Sequence, residues 1–115
     1  MPMKRICLVP TDPENHDATW NITVDLFLND SGVSTDQMTA FGARGGVSRS
    51  SEEIGPFLLF TDGRLDFGTD FDDEYRDCHL NLRGSGRVIK QQEYFTYIGE
   101  GEEITYRVTQ VVDPK

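Results

Sequence analysis

The segment "WNITVDLFL", residues 20–28, carries the most regular pattern in the chain. Large apolar side chains take every second position, and three of the four positions between them are polar. Because successive side chains of a β-strand point to opposite faces, this alternation predicts a strand with one buried face. The apolar positions are Trp20, Ile22, Val24, Leu26 and Leu28. We expect Trp20 to pack in the core or to cap one end of it.

Similar patterns lie on both sides of this segment. Apolar runs at 5–9 and 56–60, alternating runs at 78–82 and 104–112, and an aromatic run at 94–98 predict further strands. The Asp62-Gly63 pair separates two apolar runs and favours a type I′ hairpin turn, whose twist matches that of the flanking strands. The glutamate-rich segment "GEGEE" separates the last two runs and predicts a second hairpin.

Helical signals are weak. Ser34 or Thr35 is placed to cap a short turn through "DQMTAF" that stops at Gly42, and the stretch 42–51 reads as a flexible surface loop. The chain is therefore predicted to be all-β and mainly antiparallel. We expect one domain over residues 1–115, a small barrel or sandwich of about seven strands with at most one or two short helical turns.

The overall charge restricts the classes of partner. Twenty acidic residues against eleven basic ones give a net charge of −9, so a nucleic-acid backbone would be repelled and direct nucleic-acid binding is not expected. No apolar stretch approaches the roughly 20 residues of a membrane span, so no membrane partner is expected. The N-terminal apolar run, residues 6–9, is shorter than the core of a signal peptide, so a cytoplasmic location is expected. In that compartment Cys7 and Cys78, whose spacing fits no redox motif, are expected to be free thiols.

No set of residues predicts catalysis. Cys7 and Cys78 lie among apolar residues and are predicted to pack in the core, and nucleophile and phosphate-binding motifs are missing. Asp77 and His79 share one strand face, but two histidines in the chain give little basis for zinc. The acidic residues 70–81 lack the glycine and the late glutamate of an EF-hand. We therefore expect no catalytic residue, no metal site and no cofactor.

The stretch "GTDFDDEYRDC", residues 68–78, holds five carboxylates and one arginine. Such a surface attracts a basic protein and imitates the charge of phosphates, as expected of immunity-type proteins and of anti-defence inhibitors of nucleic-acid-handling enzymes. The first hypothesis is thus a non-enzymatic acidic binding protein that neutralises a protein partner with a basic surface. The predicted partner-binding residues are Asp70, Phe71, Asp72, Asp73, Glu74, Tyr75 and Asp77.

Two alternatives remain open at this stage. One is a small ligand-binding barrel or enzyme that uses an aromatic-lined pocket near Trp20 or His79. The other is an assembly subunit that oligomerises through its last strand, 104–112, if that strand lies at a sheet edge. The strand 94–98 is apolar on both faces, because Tyr94 points away from Phe95 and Tyr97, and an exposed aromatic face would also allow a homodimer.

Overall fold

The computed structural model describes eight β-strands, all of which belong to one sheet. The strands are β1 (Met3–Pro10), β2 (Ile22–Phe27), β3 (Ala40–Arg44), β4 (Pro56–Leu59), β5 (Leu65–Asp66), β6 (His79–Leu80), β7 (Tyr94–Gly99) and β8 (Glu102–Val112). The described residues are 3–12, 14–16, 20–34, 38–45, 55–68, 78–83, 86–99 and 101–113.

The strands form a nearly closed barrel. Their order is β5-β4-β3-β2-β1-β8-β7-β6, and neighbouring strands in this order are antiparallel. β5 and β6 then meet, because the Leu65 amide donates to the Cys78 carbonyl at 2.9 Å and the Leu80 amide donates to the Gly63 carbonyl at 2.8 Å. The predicted antiparallel all-β fold is confirmed, since the described residues form eight strands and essentially no helix.

The alternation in β2 places its apolar face in the core. Ile22, Val24 and Leu26 are at most 1% exposed, while Thr23 and Asp25 between them face outward and are partly exposed. Burying side chains of this size stabilises the fold by roughly 1.5–3 kcal/mol each. Trp20 packs partly buried against the same core, as expected. The strands β7 and β8 contribute the three largest fully buried side chains, which are Phe95, Tyr97 and Tyr106.

The strand β3 was not predicted. The sequence favoured a helical turn that stopped at Gly42 and a loop from there to residue 51, but residues 40–44 are extended and pair with β2 and β4. The inward positions of β3 are Ala40, Gly42 and Arg44, so no apolar alternation marks it. Packing requires a glycine at position 42, because a Cβ there would lie 2.6 Å from the Phe57 ring. Residues 35–37 and 46–50 lie outside the described part of the chain.

The first predicted hairpin is confirmed, but its predicted turn type is wrong. The Gly63 amide donates to the Phe60 carbonyl, and the Phe60 amide donates to the Arg64 carbonyl, both at 2.9 Å. Only Gly63 of the Asp62-Gly63 pair has a positive φ, of 93°, whereas type I′ requires two such residues. This is the three-residue loop with a type I turn and a glycine bulge, in which Asp62 Oδ1 also accepts a hydrogen bond from the Arg64 amide.

One further expectation needs correction. β8 pairs with β1 on one side and β7 on the other, so the strand 104–112 is not a sheet edge and the proposed assembly through it loses its basis. Arg83 follows the run 78–82 in phase with its polar positions, yet it is 3% exposed and donates through Nη1 to the Leu59 carbonyl at 2.9 Å. In the described part of the chain, no helix is long and apolar enough to cross a membrane.

Candidate partner-binding end of the barrel

Because neighbouring strands are antiparallel, successive connections lie at opposite ends of the barrel. β1 ends where β2 begins, so the connection 11–21 lies at one end together with every second connection after it. We call this the acidic end; its connections are 11–21, 45–55, 67–78 and 100–101. The opposite end, here the neutral end, has the connections 28–39, 60–64 and 81–93 and the residues that follow β8.

The connections that belong to the acidic end account for the whole net charge of the chain. Its connections contain eleven acids and two bases, Arg49 and Arg76, whereas the neutral end contains five of each and the strands four of each. The difference at the acidic end equals the net charge of −9 of the whole chain. The eleven acids are Asp12, Glu14, Asp17, Glu52, Glu53, Asp70, Asp72, Asp73, Glu74, Asp77 and Glu100.

The predicted partner-binding residues belong to one connection of this end. Asp70, Phe71, Asp72, Asp73, Glu74, Tyr75 and Asp77 all lie outside the described residues. Their connection leaves the barrel after Asp66 and returns at His79, and both of these residues are described. The strand order assigns the connection 67–78 to the same end of the barrel as the connections 11–21, 45–55 and 100–101.

Several surface bases outside the acidic end are paired locally. Lys4 Nζ lies 2.6 Å from Asp113 Oδ1, and Arg87 Nη2 lies 3.4 Å from Glu93 Oε2. Arg5 contacts Asp25 through two hydrogen bonds of 2.9 and 3.1 Å, and these bonds and the charge of Asp25 hold the pKa of Arg5 above its ordinary value. Such pairs cancel charge at short range.

A buried cation lies beneath the acidic end. Arg44, the last residue of β3, is 5% exposed, and its guanidinium carbon lies 4.2 Å above the Trp20 ring. Its Nη1 donates to the Tyr97 hydroxyl at 3.4 Å, and that hydroxyl donates to Cys78 Sγ at 3.4 Å. The Phe67 ring centre is 5.9 Å from the same guanidinium carbon. We call Trp20, Arg44, Phe67, Cys78 and Tyr97 the arginine cluster.

A second contact closes the same end. His16 Nε2 lies 3.2 Å from Glu102 Oε1, which ties the connection 11–21 to the start of β8. The His16 ring meets the Trp20 ring edge-on at 4.8 Å, and the Tyr106 hydroxyl donates to the Trp20 carbonyl at 2.6 Å. Both the ring and the backbone of Trp20 are thus fixed by contacts, which agrees with the prediction that it caps one end of the core.

The described residues give little support to an aromatic-lined pocket. The face of Trp20 is covered by Arg44, and His79 Nε2 is 2.8 Å from the Asp62 carbonyl, where it closes the junction between β5 and β6. A Cβ on Gly63 would lie 2.7 Å from the His79 ring, so this histidine is tightly packed. Among the residues that the structure describes, no group of histidine, cysteine or acidic side chains could hold a metal ion.

The structure also shows an open groove on the outer wall that sequence reasoning missed. It encloses about 670 Å³, and Cys7, Thr23 and Ala43 form its floor in one cross-strand row. Phe41, which is 70% exposed, stands at one side. Cys7 was predicted to pack in the core but points outward, because Ile6 and Leu8 take the inward positions of β1; the prediction is confirmed for Cys78, which is 1% exposed.

Comparison of the chain with protein-family models, with curated proteins and with solved structures gives no match. The functional argument therefore depends on the residues and the geometry of this chain.

Proposed function

We propose that this protein is a non-enzymatic acidic binding protein that neutralises a protein partner with a basic surface. The partner class is a protein that handles nucleic acid, because such proteins carry clustered lysine and arginine to meet phosphates. In this proposal the acidic end of the barrel is the binding surface. The residues 70–77 supply five of its eleven carboxylates, and Phe71 and Tyr75 supply apolar anchors.

The observation that carries this proposal is the confinement of the net charge to one end of the barrel. A charge of −9 spread evenly over the surface would serve solubility alone. Concentrated on four adjoining connections, the same charge produces a directional field that accelerates encounter with a basic surface and orients it. Like charges held together also destabilise the fold, so this arrangement has a cost that a binding role would explain.

The location proposed with this function is the cytoplasm. Cys7 and Cys78 are both free thiols in the structure, which agrees with a reducing compartment. Proteins that handle nucleic acid in such a compartment are accessible to an inhibitor of this size.

The test begins with purification from the native host and identification of the proteins that elute at high salt. The dissociation constant of the identified partner is then measured for the triple variant Asp72→Asn, Asp73→Asn, Glu74→Gln. We expect a loss of affinity of at least about tenfold and a smaller dependence of affinity on salt, because charge pairs are removed.

The matched control is the triple variant Asp30→Asn, Asp36→Asn, Asp113→Asn, which changes the net charge by the same amount at the neutral end. We expect its affinity to change by less than about twofold, since these positions lie beyond the range of strong interaction with a partner at the other end. Equal losses in the two variants, or none in either, would contradict the proposal.

A further inference from the structure

The groove on the outer wall, of about 670 Å³, has no part in the proposed function. Its floor of Cys7, Thr23 and Ala43 takes one small side chain from each of three neighbouring strands. Neither Trp20 nor His79 is among the described residues that line it, so it differs from the pocket that the sequence predicted. A cavity of this volume is in the range that binds a small organic molecule.

A β-bulge shapes one side of the groove. Cys7 is paired with Gln110, but the next residue, Leu8, is paired with Val108, so Thr109 is an extra residue in β8. The Thr109 hydroxyl donates to the Cys7 carbonyl at 3.2 Å, and the exposed Gln110 lies at the margin of the groove. Bulges redirect side chains and are frequent beside functional sites.

An aromatic ring stands at the other side of the groove, three strands away. Phe41 of β3 is 70% exposed, the largest exposure among the large apolar residues that the structure describes. Its ring contacts no other ring in the described part of the chain. Phe41 therefore offers a free face on which a second flat ring can stack.

The polar groups of the groove are neutral as a set. Asn21, Thr23 and Gln110 supply two amides and one hydroxyl, and none of these side chains has a hydrogen-bond partner among the described residues. Arg5 and Asp25 also line the groove, but they bind each other through hydrogen bonds of 2.9 and 3.1 Å, so their charges cancel. The set suits an uncharged molecule that carries both donors and acceptors.

A peptide fits this groove less well than a small rigid molecule. A peptide that adds to a β-sheet needs a free strand edge, and the four strands that line the groove, β8, β1, β2 and β3, are each paired on both sides. The occupant is therefore held by side chains, and a rigid, flat molecule loses little conformational freedom on binding in this way.

We propose that this groove is a binding site for an uncharged purine ring of the adenine type, free or in a nucleoside. The ring stacks on Phe41 above the small residues of the floor, and the amide of Asn21 or Gln110 pairs with the adjacent donor and acceptor of adenine. A phosphate group is disfavoured, because the chain carries a net charge of −9 and Arg5 is already paired. This inference does not rest on the proposed function.

The first probe is adenosine, titrated against the full chain by isothermal titration calorimetry. We expect saturable binding with a dissociation constant of about 0.1 mM, as is typical of a ligand of this size. Adenosine monophosphate should bind at least about threefold more weakly at low salt, because the net charge repels its phosphate. Equal or tighter binding of the monophosphate would overturn the assignment to an uncharged ligand, and no saturable binding of adenosine would overturn the inference as a whole.

Two exposed aromatic residues of the outer wall form a matched pair of variants. Phe41 lines the groove, whereas Tyr94 of β7 is 52% exposed and is not among the described residues that line it. Replacing either by alanine removes one surface ring and leaves the core intact. We expect Phe41→Ala to weaken adenosine binding by at least about tenfold, the effect of losing one base-stacking ring, and Tyr94→Ala by less than about twofold. Equal effects in the two variants would contradict the proposal.

The thiol of Cys7 reports on the floor of the groove. Cys7 is partly exposed and Cys78 is 1% exposed, so iodoacetamide should label Cys7 alone in the folded protein. With adenosine at about ten times its dissociation constant, the labelling rate of Cys7 should fall about tenfold, because the bound form covers the thiol. Phe41→Ala should lose this protection at the same concentration. Saturable binding that leaves the labelling rate unchanged would place adenosine elsewhere on the chain and overturn the assignment to this groove.

Discussion

The two ends of the barrel are built from the same eight strands but differ in what their connections carry. The neutral end balances five acids with five bases, and Arg87 and Lys90 both lie within 4 Å of Glu93 there. The acidic end has eleven acids and two bases. Among the described residues each end has one buried arginine, Arg44 at the end of β3 and Arg83 in the connection 81–93. The strands determine the fold at both ends, and the connections alone carry the difference in net charge.

The first comparison between the two ends concerns their buried arginines. We expect Arg44→Met and Arg83→Met each to lower the free energy of unfolding by about 3 kcal/mol, because removing a buried charge disrupts the groups that it satisfies. The loss for Arg44→Met should shrink by about 1 kcal/mol when salt is raised, since the field of the acidic connections is screened by salt. Urea unfolding at low and high ionic strength measures both values.

The loss for Arg83→Met should stay constant with salt to within about 0.5 kcal/mol, because the charges of the neutral end cancel. The same salt dependence in both variants would show that the acidic connections do not act on Arg44. The comparison between the two ends would then be reduced to a difference in composition.

How far the sequence predicts this comparison depends on the strand β3. The alternation in β2 and the hairpin signals predicted the fold class, and the acidic stretch 70–77 was recognised as a cluster. If β3 is left out, however, the predicted direction of every later strand is reversed relative to β1 and β2. The connections 11–21 and 67–78 are then assigned to opposite ends. The assignment of the acidic connections to one end therefore could not be predicted without β3.

The arginine cluster was hidden for a related reason. β3 turns Ala40, Gly42 and Arg44 inward, and none of the three is a large apolar residue. An arginine next to glycines normally indicates a solvated loop, whereas here contacts with the ring of Trp20 and the hydroxyl of Tyr97 favour its burial. Both partners are distant in sequence, so a local pattern could not predict these contacts.

A glycine from each end gives the second comparison. Gly63 at the neutral end has a φ of 93°, and a Cβ there would lie 2.7 Å from the His79 ring. Gly101 at the acidic end has a φ of 76°, and apart from its chain neighbours no described residue lies within 4 Å of its Cβ position. We expect Gly63→Ala to lower the free energy of unfolding by about 3 kcal/mol, from backbone strain and steric overlap together, and Gly101→Ala by about 1 kcal/mol, from strain alone.

Amide hydrogen exchange would locate these two effects. The Leu80 amide donates to the Gly63 carbonyl at 2.8 Å, so its exchange should accelerate in Gly63→Ala well beyond the change in global stability. The exchange of the same amide in Gly101→Ala should follow global stability. If Leu80 exchanges alike in both variants, the junction between β5 and β6 is not the local contact that the structure indicates.

The smallest expected effect tests whether the concentrated charge destabilises the fold. The triple variant Asp72→Asn, Asp73→Asn, Glu74→Gln relieves repulsion among the acidic connections, so we expect it to raise the free energy of unfolding by about 0.5–1 kcal/mol at low salt. The control Asp30→Asn, Asp36→Asn, Asp113→Asn should give no gain, because it removes the partner of Lys4 and leaves an excess of bases at the neutral end. If the free energy of unfolding rises in the first variant alone, and the rise disappears at high salt, repulsion among the acidic connections destabilises the fold. Thermal and urea unfolding at two salt concentrations measure the difference, and the same gain in both variants would instead indicate that only the total charge of the chain matters.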